Sequence, residues 1–240
     1  MLPLRDAESS VRRPVVTLGL VGVIAAVFGY ELFLEVTAGS AGVEDLFGTY
    51  GVIPADISAA ASDATLIGAT AFTLITYQFL HAGFLHAAGN LLYLWIFGNN
   101  VEDRLGRIGF LLFYLWAGVL AALVQVLVDP SAEIPLVGAS GSISGVLGAY
   151  LVLFPRARVV SLVFLVFFFQ IVAVPAVVLL SFWFVLQLMS GLAALAAPSD
   201  VAAGGVAFFA HIGGFVTGMA VGLVVRTVDR AAGRGRARVG

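Results

Sequence analysis

The chain has no cysteine and no lysine, and few charges of either sign. Without cysteine there is no disulfide framework, no thiol nucleophile and no thiolate metal ligand, and the redox compartment stays open. Charged residues are 11% of the chain, against about 25% in an ordinary soluble domain. A soluble fold of 240 residues needs more polar surface than that. Apolar residues, by contrast, make up 61%, above the usual level of about 45–50%. Disordered, collagen-like and disulfide-scaffold classes do not fit these proportions. They point to an all-α, polytopic membrane protein. The net charge of −2 gives no argument for a nucleic-acid partner, because the charges are segregated along the chain.

A spanning helix needs about 20 apolar residues. Spans are expected at 15–36, 84–98, 108–128, 139–154, 175–196 and 206–225. The apolar stretch from 159 to 197 is too long for one span and too short for two with a turn. Pro175 interrupts it, so 159–173 is read as an interfacial or re-entrant segment. The arginines test this count. Arg5, Arg12 and Arg13 precede the first span, and Arg104 and Arg107 lie between the second and third. Arg156 and Arg158 lie between the fourth and fifth, and Arg226, Arg230, Arg234, Arg236 and Arg238 follow the sixth. The loops of the other side carry no arginine, and their charges are all acidic. The positive-inside rule then gives six spans with both ends cytoplasmic, in the cell membrane. The division is a cytoplasmic segment 1–14, a membrane domain 15–226 and a basic cytoplasmic tail 227–240. The first apolar stretch is longer than a signal-peptide core and is read as a retained span. The loop 38–80 mixes small, acidic and apolar residues, and its conformation is not legible.

Ionisable and polar groups inside spans are expensive, which makes them functional candidates. All three histidines qualify: His81 and His86 at the entry to the second span, and His211 in the sixth. Asn90 shares a helical face with His86. Ser140, Ser142 and Ser144 open the fourth span. On the arginine-derived topology these groups enter from the same outer side, with His211 roughly 8 Å deep at 1.5 Å per residue. Gly141, Gly145 and Gly148 form one stripe, and His211, Gly214, Gly218 and Gly222 form another. Facing glycines let membrane helices approach closely. If these stripes meet, the Ser140 hydroxyl comes within reach of the His211 ring, the arrangement nucleophilic catalysis requires. Either stripe alone reads as packing, and a lone intramembrane histidine reads as a proton relay or a packing residue. The conjunction favours a hydrolytic site. No acidic residue lies near His211 in sequence, so packing or another polar group must orient it.

These residues resemble the rhomboid family of intramembrane serine proteases. The resemblance is carried by His81, His86 and Asn90 at spacings of five and four, and by Gly138-Ala139-Ser140-Gly141. Ala210-His211-Ile212-Gly213-Gly214-Phe215 with Gly218 and Gly222, and the segment from Asn100 through Glu102 and Arg104 to Gly106, complete it. It covers roughly residues 50–225 in family order and implies a six-span helical bundle. It implies Ser140 as nucleophile and His211 as general base in a dyad. Asn90, His86 and the Ser140 backbone N–H would stabilise the oxyanion. His81, Gly138, Gly141 and Gly214 would support the site, and Glu102 and Arg104 a structural loop on the cytoplasmic side. The loop 197–205 would be a cap, and the fifth span a movable gate for the substrate helix. Two positions depart from the family pattern. Ser144 stands where an aromatic often packs on the histidine, so another aromatic would have to replace it. Phe72-Thr73 stands where some members carry Trp-Arg, so the first loop would be anchored differently.

The expected partners are the lipid bilayer and single-pass transmembrane substrates, not nucleic acid. The oligomeric state is open. No metal or organic cofactor is expected, because three scattered histidines make a poor zinc site. Two other readings use the same residues. One is a catalytically silent relative that binds transmembrane helices. The other is a small transporter with a histidine relay, which would be expected to show midplane charges or inverted repeats.

Overall fold

A computed structural model of the chain describes residues 1–8, 10–63, 67–165, 168–196 and 206–232. The chain-order elements are β1 (Leu2–Asp6), α1 (Val15–Tyr50), α2 (Pro54–Ser62), α3 (Ile67–Thr76), a 3-10 turn at Tyr77–Phe79, and α4 (Phe84–Leu105). They continue with α5 (Arg107–Val128), α6 (Ser140–Leu153), β2 (Arg158–Leu165), β3 (Phe168–Pro175), α7 (Ala176–Ala196) and α8 (Phe208–Ala231). The chain is a predominantly helical, multi-pass membrane protein. Four helices, α1, α5, α7 and α8, are long and apolar enough to cross a bilayer. The bent pair formed by Thr70–Phe79 and α4 supplies a fifth candidate. Helix α6 is apolar but shorter, at 14 residues. The six expected spans map onto α1, α4, α5, α6, α7 and α8.

Helix α1 runs past the expected end of its span, but its backbone breaks at Gly39 (φ 69°). The loop 38–80 is therefore mostly helical. The Tyr50 and Phe72 rings meet at 6.0 Å, and the Thr76 hydroxyl donates to the Tyr50 carbonyl at 2.7 Å. These contacts hold the loop where Phe72-Thr73 replaces the aromatic–basic pair.

The segment 159–173, expected as an interfacial or re-entrant stretch, is not a re-entrant loop. It is a β-hairpin, with β2 and β3 antiparallel and β1 added on the free edge of β2. Val159, Val160, Val163, Ile171, Val172 and Val174 favour a strand, and pairing satisfies backbone groups that a re-entrant loop leaves open. Residues 1–8 are thus tied into the fold. Asp6 accepts hydrogen bonds from Tyr150, at 2.9 Å, and from Asn100. Burial pushes the Asp6 carboxyl above its ordinary value, against the opposing pull of those two bonds.

At this same end Glu102 caps α1 from outside. Its carboxylate accepts the Val16 and Thr17 amides at 3.0 and 2.8 Å and the Thr17 hydroxyl at 2.8 Å. Those amides are helix-start donors with no partner of their own, and the carboxylate also suits the positive end of the helix dipole. Arg104 pairs with Asp229 of α8.

The centre is the α6–α8 contact. Eleven of the fourteen α6 residues are buried. A Cβ on Gly214 would overlap the Gly141 carbonyl, one on Gly218 the Gly145 carbonyl, and one on Gly148 the Phe215 carbonyl. The two backbones interlock, which only glycine permits.

Candidate active site

Helix α6 spans about 21 Å at 1.5 Å per residue, short of the roughly 30 Å hydrocarbon core. Its first residue is Ser140. The preceding turn is set by Gly138, whose φ of +132° favours glycine. Space demands glycine there as well. A methyl group at Gly138 would lie 2.8 Å from the His86 Cε1 and Nε2 atoms and 3.5 Å from Ser140 Oγ. His86 and Ser140 thus flank the same backbone atom.

The α6–α8 interlock brings Ser140 against the start of α8. His211 Nε2 lies 2.7 Å from Ser140 Oγ. Ser140 is half-buried and His211 is buried, with 9% of its surface exposed. The other two hydroxyls are committed elsewhere. Ser142 donates to Gln78 Oε1 at 2.8 Å, and Ser144 donates to the Ser140 carbonyl at 2.6 Å. Of the three serines, Ser140 faces the imidazole.

Asn90 sits one turn beyond His86 on α4 and is buried, with no hydrogen-bond partner for its Nδ2 donor. Such an orphaned donor normally costs about 1–3 kcal/mol. Functional sites are where such losses are tolerated. The α6 start adds the main-chain N–H groups of its first turn, which have no acceptor within the helix, and the positive end of its dipole.

His81 is brought to His86, not to Ser140. Their rings meet edge to face at 5.1 Å. The His81 backbone N–H donates to buried Glu31 of α1 at 2.9 Å, and its Nδ1 lies 3.1 Å from the Phe79 carbonyl. Gly141 and Gly214 lie at the helix contact, one residue and three residues from the Ser140–His211 pair. The loop 197–205, expected as a cap, lies outside the described residues.

Two contacts on His211 were not foreseen by residue. Gln187 Oε1 of α7 lies 2.7 Å from His211 Nδ1. The Trp183 ring lies 6.0 Å from the imidazole and 5.8 Å from Phe215, in the role left open by Ser144. Gln78 and Gln187 carry the signal that flagged the histidines, a polar side chain within an apolar run. Glu31 carries it too. Among the described residues, no three His, Asp or Glu side chains gather as a metal site.

The Rhomboid domain family model matches residues 68–228. Rhomboid-like protein 11, chloroplastic, of Arabidopsis thaliana is 43% identical over 74 residues, 31% of this chain and 26% of that protein. Rhomboid protein 1, mitochondrial, of Saccharomyces cerevisiae is 33% identical over 96 residues, 38% of this chain and 28% of that protein. Rhomboid protease GluP of Bacillus subtilis is 44% identical over 78 residues, 32% of this chain and 15% of that protein. The aligned stretch spans less than a third of the length of each of these relatives.

Proposed function

The chain belongs to the rhomboid family, and on that premise we propose that it is an intramembrane serine endopeptidase. It would cleave transmembrane segments of other membrane proteins near the outer face of the bilayer, using a Ser140–His211 dyad. The observation that carries this reading is the 2.7 Å contact between Ser140 Oγ and His211 Nε2. It stands at a helix start whose free amides can receive developing negative charge.

In this reading Ser140 Oγ attacks the scissile carbonyl carbon as its proton passes to His211 Nε2. The carbonyl oxygen becomes an oxyanion and takes hydrogen bonds from Asn90 Nδ2, His86 and the Ser140 backbone N–H. Each such donor contributes about 2.7–4 kcal/mol to the transition state. That return explains an otherwise unfavourable buried amide at Asn90. Collapse expels the amine, which leaves with the His211 proton, and an acyl ester remains on Ser140. A water molecule gives a proton to His211 as it attacks the ester, and collapse breaks the acyl–Oγ bond, so that the acid leaves and the His211 proton returns to Ser140 Oγ. The half-buried position of Ser140 fits water access from the outer side. The substrate must unwind locally, because helical peptide groups are shielded.

The arginine distribution supports a cell-membrane protein with both ends cytoplasmic, divided into segment 1–14, membrane domain 15–226 and basic tail 227–240. The mainly exposed helix α7 fits a side entrance for a single-pass substrate.

The test is labelling of purified protein in detergent by a fluorophosphonate, beside Ser140→Ala and His211→Ala. Labelling of the wild type alone is expected, as is cleavage of a transmembrane-segment substrate by the wild type alone. A folded wild type that neither labels nor cleaves would return the chain to a silent binder of transmembrane helices.

A further inference from the structure

We propose that Gln187 is a positioning residue for this reaction, holding His211 in the tautomer and rotation that turn a bare Nε2 toward Ser140. The proposal rests on the reading of Ser140 and His211 as the reacting pair.

A neutral imidazole has one nitrogen that donates and one that accepts. The Gln187 side-chain oxygen offers only lone pairs, and it lies 2.7 Å from His211 Nδ1. With that oxygen turned to the ring, the matching tautomer has the proton on Nδ1, donated to Gln187. Nε2 is then bare, 2.7 Å from the Ser140 hydroxyl whose proton it is to take. The opposite tautomer would set an N–H toward Ser140 and two lone pairs against each other at Gln187. When His211 takes up the Ser140 proton, its Nδ1–H bond to Gln187 becomes charge-assisted and strengthens.

The choice of an amide follows from the solvent. Helix α7 contains no acidic residue. A carboxylate would orient the ring equally well, but an ionised group is expensive in a membrane span. An amide oxygen supplies the same acceptor without the charge. Trp183, one turn earlier on the same face, packs on the imidazole and limits its rotation. The two residues divide the work: the indole limits the ring's tilt, and the amide decides which nitrogen holds the proton.

The experiment pairs Gln187→Met, similar in length but without the oxygen, with Gln187→Glu, which keeps an acceptor. Cleavage of a transmembrane-segment substrate is followed for kcat and KM, with thermal melts as folding controls. Nitrogen-15 spectra of imidazole-labelled protein read the tautomer, and only three histidines need assignment. Gln187→Met should lower kcat by about 10–100-fold, the loss seen when the partner behind a metal-bound imidazole is removed. KM should stay unchanged, Gln187→Glu should recover most of the rate, and wild-type His211 should be the Nδ1–H form. Wild-type kcat in Gln187→Met, or an Nε2–H form in the wild type, would overturn the proposal. Equal losses in folded Met and Glu variants would do so too. The spectrum does not depend on activity. An inactive wild type with the Nδ1–H form would unseat the protease reading, and with it the role in the reaction, while leaving Gln187 as the group that sets the tautomer. An active wild type indifferent to Gln187→Met would unseat the positioning alone.

Discussion

Helix α8 places His211 against two neighbours that are built in opposite ways. Toward α6 the contact is backbone on backbone, with glycines of each helix under carbonyls of the other and eleven of fourteen α6 residues buried. Toward α7 it is side chain on side chain. That helix buries only Ala176, Leu179, Leu180 and Gly191 of its 21 residues. The first contact sets the Ser140–His211 distance, and the second, through Trp183 and Gln187, sets how the imidazole is turned. Distance is thus held by a helix buried along most of its length and orientation by a helix with little packing behind it. On the proposed reading, such a site keeps Ser140 and His211 together while its readiness depends on the seating of α7.

The sharpest way to break this division is Gly218→Leu. Its side chain would enter the Gly145 carbonyl, and no rotamer avoids a backbone atom. The expected result is loss of labelling together with at least about 3 kcal/mol of stability, the upper end of usual overpacking losses. A Gly218→Leu protein that melts and labels like wild type would show that the interlock does not fix the distance. Trp183→Ala should act on orientation alone. It removes ring contacts of about 0.5–1.5 kcal/mol, so the labelling rate should fall by roughly tenfold at most. The Ser140–His211 distance should survive in a structure of the variant. The smallest effect is expected at Gly22 of α1, where an added Cβ meets nothing within 4 Å. Gly22→Ala should raise stability slightly, by up to about 1 kcal/mol from helix propensity, with unchanged labelling. An equal loss at Gly22 and Gly218 would mean that glycine content, not helix contact, governs stability.

Much of the fold was legible because the bilayer makes local composition informative. Apolar runs long enough to span, with arginines confined to one set of loops, locate the helices without knowledge of any contact. Ser140, His211, His86 and Asn90 stood out for a related reason, since polar groups inside such runs have no water to satisfy them. Strand pairing in 158–175 escaped detection because a mostly apolar run suits a buried helix or a buried strand equally well. Gln187 escaped because its partner lies 24 positions away on another helix. Glu31 escaped because its contact with the His81 backbone joins elements 50 positions apart.

The sequence by itself determined the solvent of this protein, the placement of its spanning helices and the residue types available for chemistry. Those follow from transfer free energies that depend on local composition. The resemblance already pointed to Ser140; only the tertiary structure decided where the Ser142 and Ser144 hydroxyls bond instead, and that an amide and an indole from α7 stand behind the imidazole. Which of several equivalent hydroxyls meets a base depends on helix rotation and close approach to within an ångström. Packing between segments distant in sequence sets those quantities.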